Sequence, residues 1–138
     1  MMMAAPLYLD TSAVLRAVLE SGTTPEIETR LRTAPALLTS RLALVESARA
    51  LARLRASSAA TEVQLADASR SLDEIWSRCD IWELDRAVCD LAQAIAPATS
   101  LRTLDALHLA TFQIARSKID GLELLTADER LRAAAGLG

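Results

Sequence analysis

The sequence is poor in aromatic residues and in lysine. Aromatic side chains make up 3% of the 138 residues, and Lys118 is the single lysine, so arginine supplies the rest of the positive charge. The formal net charge is −3 and the pI is about 5.2. An aromatic platform for stacked bases and a broad basic surface are therefore both disfavoured. A nucleic acid would have to be bound locally, by a few arginines or by a metal ion.

Cysteine and long apolar runs are also scarce. Cys79 and Cys89 lack the spacing and the partners of a zinc site, so we interpret them as two reduced thiols. No apolar run approaches the roughly 20 residues that span a bilayer. Residues 1–6 lack the basic start and the apolar stretch of a signal peptide. We therefore expect a cytoplasmic protein that does not bind a membrane.

What the sequence does contain is 51% hydrophobic residues, many of them alanine and leucine, which favours helices over strands. The length suits one compact domain, and we expect residues 1–138 to form a single one. Short apolar segments, predicted to be strands, occupy residues 7–9, 36–39, 81–84 and 122–125. Amphipathic helices alternate with them. This order predicts a three-layer α/β/α domain with a parallel central sheet of four to five strands.

Several helices have recognisable capping residues. Those predicted at helix starts are Ser40, Asp85, the capping box of Thr61 with Gln64, and a second box of Thr126 with Glu129. A helix is also predicted over residues 103–116. Its apolar stripe is expected on Leu104, Leu107, Thr111 and Ile114.

Four acidic residues lie where strands would end or helices begin. Asp10 closes the first strand, and Glu46 lies two turns into the helix after the second. Asp105 lies in the first turn of its helix, and Asp128 opens the helix after the fourth strand. Ligands of an open parallel sheet bind beyond the carboxyl ends of the strands, where the strand order reverses. If Asp10 ends the central strand, the four acids can converge there.

Each acid also has a purely structural explanation. Asp10 can cap the first helix, and Asp105 and Asp128 can be favourable helix N-terminal charges of ~0.5 kcal/mol each. Glu46 can pair with Arg49 one turn further on. The joint pattern favours a site, because each acid lies beside or among apolar residues.

Four carboxylates in one place need a counter-charge. Two carboxylates ~5 Å apart repel by roughly 3 kcal/mol at an effective dielectric constant near ~20, so they either become protonated or bind a cation. Oxygen ligands suit Mg²⁺ or Mn²⁺ better than zinc or copper, and substrate phosphates and waters usually complete such a cage. The acids therefore indicate metal-dependent phosphodiester chemistry.

Together these segments resemble a known family. The matching segments are LDTSA at 9–13, SRLALVE at 40–46, LRTLDALHLA at 101–110 and LTAD at 125–128. Any one of them is weak, but all four in this order look like a PIN domain, with the closest resemblance to the VapC-type toxins of bacterial toxin–antitoxin pairs. The resemblance extends from Leu7 to about Ala135.

The resemblance implies an endoribonuclease that depends on Mg²⁺ or Mn²⁺ and hydrolyses RNA phosphodiester bonds. It also implies a homodimer silenced by a small antitoxin protein. The catalytic and metal-binding residues carried over are Asp10, Glu46, Asp105 and Asp128. The supporting hydroxyls are Thr11, Ser12 and Thr126. We assign Glu46 to orienting or deprotonating the attacking water, and the three aspartates to the metal.

Three further residues near these acids have two explanations each. Arg49 and Arg53 share a helical face with Glu46, and we consider them as ligands of RNA phosphates. A solvated, salt-bridged face would show the same spacing. His108, the only histidine, lies one turn after Asp105 and could act near the same metal. We interpret it as a core residue, because it follows a leucine-rich stripe.

Two other functions compete with this interpretation. A phosphoacceptor domain also places acids and Mg²⁺ at strand ends. It requires an acidic pair near the first strand and a lysine after a late one, whereas Asp10 has no acidic neighbour and Lys118 precedes the last strand. The second is a non-catalytic PIN-like module that binds RNA or protein, and the presence of all four acids argues against it.

Overall fold

The structure is a computed structural model that describes residues 4–95 and 101–136. The strands in these residues are β1 (Leu7–Leu9), β2 (Leu37–Ser40), β3 (Cys79–Trp82) and β4 (Glu123–Leu125). The helices before β3 are α1 (Thr11–Leu19), α2 (Pro25–Thr33), α3 (Arg41–Ala56) and α4 (Glu62–Ser77). Those after β3 are α5 (Arg86–Ala94), α6 (Thr103–Lys118) and α7 (Glu129–Ala134).

The strands form one parallel sheet in the order β3-β2-β1-β4. β1 lies between β2 and β4, with Tyr8 opposite Leu38 on one side and Leu124 on the other. The chain proceeds outward from β1 to β3 and then crosses back to place β4 on the far side of β1. Strand order therefore reverses beside β1, and the carboxyl end of β1 is where such sheets bind ligands.

Different helices cover the two faces of the sheet. Leu7 and Leu9 of β1 pack into one core with Ile27 of α2 and with α1 and α4. Tyr8 packs into a second core with Phe112 of α6 and with α7. Since neighbouring residues of a strand point to opposite faces, the molecule has three layers. The predicted α/β/α fold with a parallel sheet is confirmed.

Side-chain caps begin the helices around the site. Asp10 is the N-cap of α1, and Ser40 Oγ accepts a hydrogen bond from the backbone N–H of Leu42 at 3.0 Å to begin α3. The predicted box at α4 is present, since the backbone N–H of Gln64 donates to Thr61 Oγ1 at 3.1 Å and that of Thr61 donates to Gln64 Oε1 at 2.8 Å. These sequence predictions are confirmed.

The third strand begins two residues earlier than the predicted range 81–84. Its register with β2 pairs Ser40 with Trp82, the last residue of the strand. Glu83 lies beyond the strand and forms an ion pair with Arg41 at 2.6 Å. The apolar character of the predicted range therefore marked the end of the strand rather than its centre.

The apolar stripe predicted for α6 is right for Thr111, which is 0% exposed, and wrong for the other three residues. Leu104 is 45% exposed, and Leu107 and Ile114 are only half-buried. The buried face includes the polar side chains of His108 and Thr111 beside apolar residues. Apolar spacing alone does not locate the buried face, because His108 on that face is polar.

The second predicted capping box is also wrong. α7 begins at Glu129 with Asp128 as its N-cap, and the Asp128 side chain accepts from the backbone N–H of Arg130. The hydroxyl of Thr126 donates to Asp10 instead. Because α7 starts at Glu129, Thr126 lies before the helix, where its hydroxyl can bond to Asp10 at the end of β1.

The structure shows the state of the two cysteines and the character of the helices. Cys79 and Cys89 are free and half-buried, and burial raises the pKa of Cys79 to about 12, so this thiol stays protonated at neutral pH. Among the described residues, no helix combines the length and the apolarity that crossing a lipid bilayer requires.

Replacing Leu9 with alanine tests the central position of β1. Leu9 is 0% exposed, so we expect Leu9→Ala to lower the free energy of unfolding by about 2–5 kcal/mol in urea denaturation. Val63 is 71% exposed, and Val63→Ala should change it by less than about 0.5 kcal/mol. Equal losses in the two variants would contradict this packing.

Candidate active site

Asp10 lies at the carboxyl end of the central strand. It follows β1 directly and begins α1, and its backbone N–H donates to the carbonyl oxygen of Leu125 in β4 at 3.0 Å. The residue is only 5% exposed. A buried carboxylate needs compensating donors, so the groups around Asp10 determine what it can do.

Two hydroxyl groups supply those donors. Ser12 Oγ and Thr126 Oγ1 both donate to Asp10 Oδ2, Thr126 at 2.8 Å, and the backbone N–H of Ser12 adds a bond at 3.3 Å. Each hydroxyl in turn accepts a backbone N–H at 2.9 Å. The N–H of Ala127 donates to Ser12 Oγ, and the N–H of Asp128 donates to Thr126 Oγ1. The hydroxyl protons are therefore directed at Asp10.

The second oxygen of Asp10 remains open. Asp10 Oδ1 has no hydrogen bond among residues 4–95 and 101–136, and His108 Nε2 lies 3.8 Å away. No buried side-chain nitrogen or oxygen in this part of the chain lacks a partner, so Asp10 Oδ1 reaches solvent. It is a carboxylate oxygen at the point where open parallel sheets bind ligands.

Glu46 approaches Asp10 from α3. Its Oε1 accepts from Thr11 Oγ1 at 2.7 Å and from His108 Nε2 at 2.6 Å. Since that nitrogen is also the one near Asp10 Oδ1, both carboxylates lie close to one imidazole N–H. Glu46 Oε2 has no hydrogen bond in the described part of the chain.

The pKa of Glu46 lies below its usual value. Partial burial acts to raise the pKa, but the interactions with His108 and Thr11, chiefly their hydrogen bonds, outweigh burial. Glu46 is therefore ionised at neutral pH. An ionised carboxylate can bind a cation or accept a proton from water.

Asp105 occupies the first turn of α6. Its Oδ2 accepts from the backbone N–H of Arg102 at 3.1 Å, and its Oδ1 has no hydrogen bond within the described residues. The residue is half-buried. Asp105 thus combines the predicted helix-terminal role with one free oxygen.

Arg130 occupies both oxygens of Asp128. Oδ1 accepts from the Arg130 backbone N–H at 2.9 Å and from Nε at 3.3 Å, and Oδ2 accepts from Nη2 at 3.1 Å. The hydrogen bond from the Arg130 side chain outweighs partial burial and lowers the pKa of Asp128. Asp128, and to a smaller degree the charge of Asp105, raise the pKa of Arg130. Arg130 is therefore a positive charge, supplied by the protein itself, that pairs with Asp128 and also feels the charge of Asp105.

The structure brings some of the predicted site residues together and leaves one of them engaged elsewhere. Asp10 and Glu46 meet at His108, and Asp105 lies one helical turn before His108 on the same side of α6. Asp128 is engaged by its own arginine. Within the part of the chain that the structure describes, no three His, Cys, Asp or Glu side chains are grouped closely enough to hold a metal ion. The four predicted ligands do not form a preassembled cage.

The donor chemistry still fits a hard divalent cation. Asp10, Glu46 and Asp105 each keep one carboxylate oxygen free of hydrogen bonds within the described residues. Mg²⁺ is commonly held by one or two carboxylates, with waters and substrate phosphates as the remaining ligands. Asp128 would share its charge between such a cation and Arg130.

The arginines considered for RNA binding lie on the outside of α3. Arg49 and Arg53 are exposed, and neither forms an ion pair with another described residue. The alternative pairing of Glu46 with Arg49 does not occur, because Glu46 bonds to Thr11 and His108 instead. Both guanidinium groups are therefore available to an anionic ligand.

Sequence reasoning missed part of the network. His108 is buried, as expected of a core residue, but its ring nitrogens contact Glu46 and the hydroxyl of Tyr8. One signal was present, since a tyrosine in a buried strand needs a partner for its hydroxyl and the chain has a single histidine. No signal in the sequence distinguished Arg130 from the other arginines.

Comparison with known proteins identifies relatives along most of the chain. A family model described as PIN domain matches residues 7–137. The chain is 36% identical over 131 residues to Ribonuclease VapC46 of Mycobacterium tuberculosis strain H37Rv, covering 95% of this chain and 91% of that protein.

Solved structures share the fold at lower sequence identity. The crystal structure of PAE2754 from Pyrobaculum aerophilum matches with a TM-score of 0.68 and 21% identity, over 98% of this chain and 83% of that one. A toxin–antitoxin complex from Klebsiella pneumoniae matches with a TM-score of 0.63 and 21% identity, over 92% and 90% of the two chains. At these identities the similarity supports the fold alone.

Removing Arg130 should release Asp128. We expect Arg130→Gln to raise the pKa of Asp128 toward its ordinary value of 3.8, as followed by carboxyl ¹³C NMR. Because the pKa is depressed in the folded state, the stability that this pair contributes is present above pH 3.8 and is lost as the pH falls through the depressed value. The variant should therefore lose less stability on acidification than the wild type.

Arg70→Gln is the matched control, because Arg70 is an exposed arginine that pairs with a neighbouring acid, Asp67, on α4. It should leave the pKa of Asp128 unchanged. An unchanged Asp128 titration in Arg130→Gln would contradict the assigned ion pair.

Proposed function

The chain belongs to the PIN-domain family, and from that premise we propose that it is the ribonuclease toxin of a toxin–antitoxin pair, hydrolysing RNA phosphodiester bonds with Mg²⁺ or Mn²⁺ at Asp10, Glu46, Asp105 and Asp128. The observation that carries the proposal is the carboxyl end of β1, where one oxygen of Asp10 reaches solvent beside an ionised Glu46. A relative of nearly the same extent is named a ribonuclease, which supports the activity.

The roles of the acids follow from their hydrogen bonds. Asp10 Oδ2 is saturated by the hydroxyls of Ser12 and Thr126, so Oδ1 is the oxygen offered to a cation. Asp105 offers its free Oδ1 in the same way. Ser12 and Thr126 are thus proposed to orient Asp10, and Thr11 to orient Glu46.

When bound, a divalent cation supplies polarisation of the scissile phosphate and makes a neighbouring water more acidic. The protein's own contribution is to hold Glu46 ionised, with Oε1 fixed by two hydrogen bonds and Oε2 free. A carboxylate so placed can orient an attacking water and accept its proton. Asp10 is buried and held by two hydroxyl groups, so its other oxygen has a defined position for binding the cation.

Partners form a further part of the proposal. The Klebsiella pneumoniae neighbour is a toxin–antitoxin complex, which supports a small antitoxin protein as the partner of this chain. A homodimer is proposed with it, and light scattering on the purified chain with and without its antitoxin measures both assemblies. Because the proposed substrate is RNA, we also propose that the protein is cytoplasmic.

Cleavage of RNA by the purified, antitoxin-free protein tests the activity. We expect discrete new ends in total RNA with Mg²⁺ or Mn²⁺ and none in EDTA. Asp10→Asn should lower the cleavage rate by about 100-fold or more, because it removes a charge from the centre of the site. Sequencing of the new ends identifies the cut.

Asp85→Asn is the matched control, since Asp85 is also an N-cap at the start of a helix after a strand but belongs to no proposed role. It should cleave as the wild type does. Cuts that survive Asp10→Asn or EDTA would contradict the mechanism. A folded protein that binds RNA without cutting it would favour the alternative, a non-catalytic PIN-like module.

Arg49 and Arg53 are proposed to bind RNA phosphates beside the acids. Removing two phosphate contacts should reduce the slope of log affinity against log salt by about 1.4 for single-stranded RNA. We expect this loss in the double variant Arg49→Gln, Arg53→Gln, measured by RNA binding in EDTA so that the RNA stays intact.

The control for this measurement is the double variant Arg70→Gln, Arg86→Gln. It removes the same charge from two exposed arginines that already pair with acids on their own helices. Its salt dependence should match that of the wild type. An equal change in the two double variants would mean that only the total charge matters and would overturn the assignment.

A further inference from the structure

A buried polar pair lies directly beneath the proposed site. Tyr8 of β1 is 0% exposed and His108 of α6 is 2% exposed. Their rings pack edge to face with centroids 6.0 Å apart, and Tyr8 also packs on Phe112. Both polar groups are buried, so each must be hydrogen-bonded to persist there.

The contacts of the imidazole fix where its protons lie. His108 Nε2 is 2.6 Å from Glu46 Oε1, and a carboxylate can only accept, so Nε2 carries a proton. His108 Nδ1 is 2.8 Å from the Tyr8 hydroxyl. The Tyr8 hydroxyl therefore holds the ring on the side away from Glu46, and Thr11 Oγ1 lies 3.2 Å from Nε2. The result is a hydrogen-bonded chain from Tyr8 through His108 to Glu46, with the Nε2 proton directed at the carboxylate.

A purely packing role does not account for this direction. Glu46 has a flexible side chain that reaches from α3, whereas Tyr8 is held in the central strand between β2 and β4. The imidazole connects the flexible acid to the rigid strand. Because Thr11 and His108 both bond to Oε1, the other oxygen of Glu46 stays free for chemistry.

We propose that His108 is a positioning residue which, braced by Tyr8, fixes Glu46 beside Asp10. The role rests on the proposed ribonuclease function, in which Glu46 acts on the attacking water. His108 does not itself contact the reacting atoms. Because His108 acts by placing Glu46, its loss should lower the rate of the chemical step and leave RNA binding unchanged.

Kinetic comparison of two substitutions tests this role. His108→Leu removes the donor, and we expect kcat to fall about 10- to 100-fold with KM unchanged. His108→Gln retains an amide N–H that can reach Glu46, so it should recover much of the lost kcat. Leu109→Ala controls for stability, because Leu109 is equally buried on the same helix and makes no polar side-chain contact. It should retain the wild-type kcat at a temperature where the protein is folded.

Equal kcat values in His108→Leu and His108→Gln would overturn the proposal, as would a loss of kcat in Leu109→Ala as large as that in His108→Leu. A change confined to KM would overturn it too.

Imidazole ¹⁵N NMR separates failure of this proposal from failure of the function. We expect a protonated Nε2 in His108 and a displaced Nδ1 resonance in Tyr8→Phe, whether or not RNA is cleaved. A His108 ring without a proton on Nε2 overturns the proposal even in an active protein. A wild-type protein that cleaves no RNA but shows both signals refutes the proposed function while the hydrogen-bonded chain to Glu46 stands.

Discussion

A largely buried carboxylate at the end of the central strand, with one oxygen reaching solvent, is the constraint on which the rest of the site depends. Burying a charge is costly unless donors replace the lost water. Ser12 supplies a donor from α1, and Thr126 supplies another from the segment after β4. Because each hydroxyl also accepts a backbone N–H, the Asp10 carboxylate ties α1 to the β4–α7 connection. The fold and the site are stabilised by the same few hydrogen bonds.

The four acids differ in what already balances their charge. Asp10 is balanced by hydroxyls and Glu46 by Thr11 and His108, and each keeps one open oxygen, whereas Asp128 is balanced by a full cation in Arg130. Asp105 also keeps one oxygen free of hydrogen bonds within the described residues. A divalent ion would therefore meet three carboxylates with a free oxygen and one, Asp128, that is already paired. Donors of the protein and a metal ion compete for the same carboxylates. The existing contacts therefore determine how readily each acid binds the ion.

The sequence predicted most of the architecture, because local chemistry determines it. Capping residues and short apolar segments were enough for the layers. The central position of the strand before Asp10 was only a condition of the predicted site, and the strand order meets it. The errors arose where distant residues decide the outcome. The start of β3 depends on pairing with β2, and the buried face of α6 depends on His108, whose partners are 62 and 100 residues away in sequence. Spacing along one helix cannot reveal such contacts.

Direct location of the metal tests the central claim, that the carboxyl end of β1 is a divalent-cation site. The measurement is a crystal structure of the wild-type protein grown with Mn²⁺, with the ion identified by its anomalous scattering. The account predicts a peak at a coordination distance of about 2.0–2.5 Å from Asp10 Oδ1 and loss of that peak in Asp10→Asn. An ion bound only at acids remote from Asp10, or a peak that persists in the variant, would contradict it.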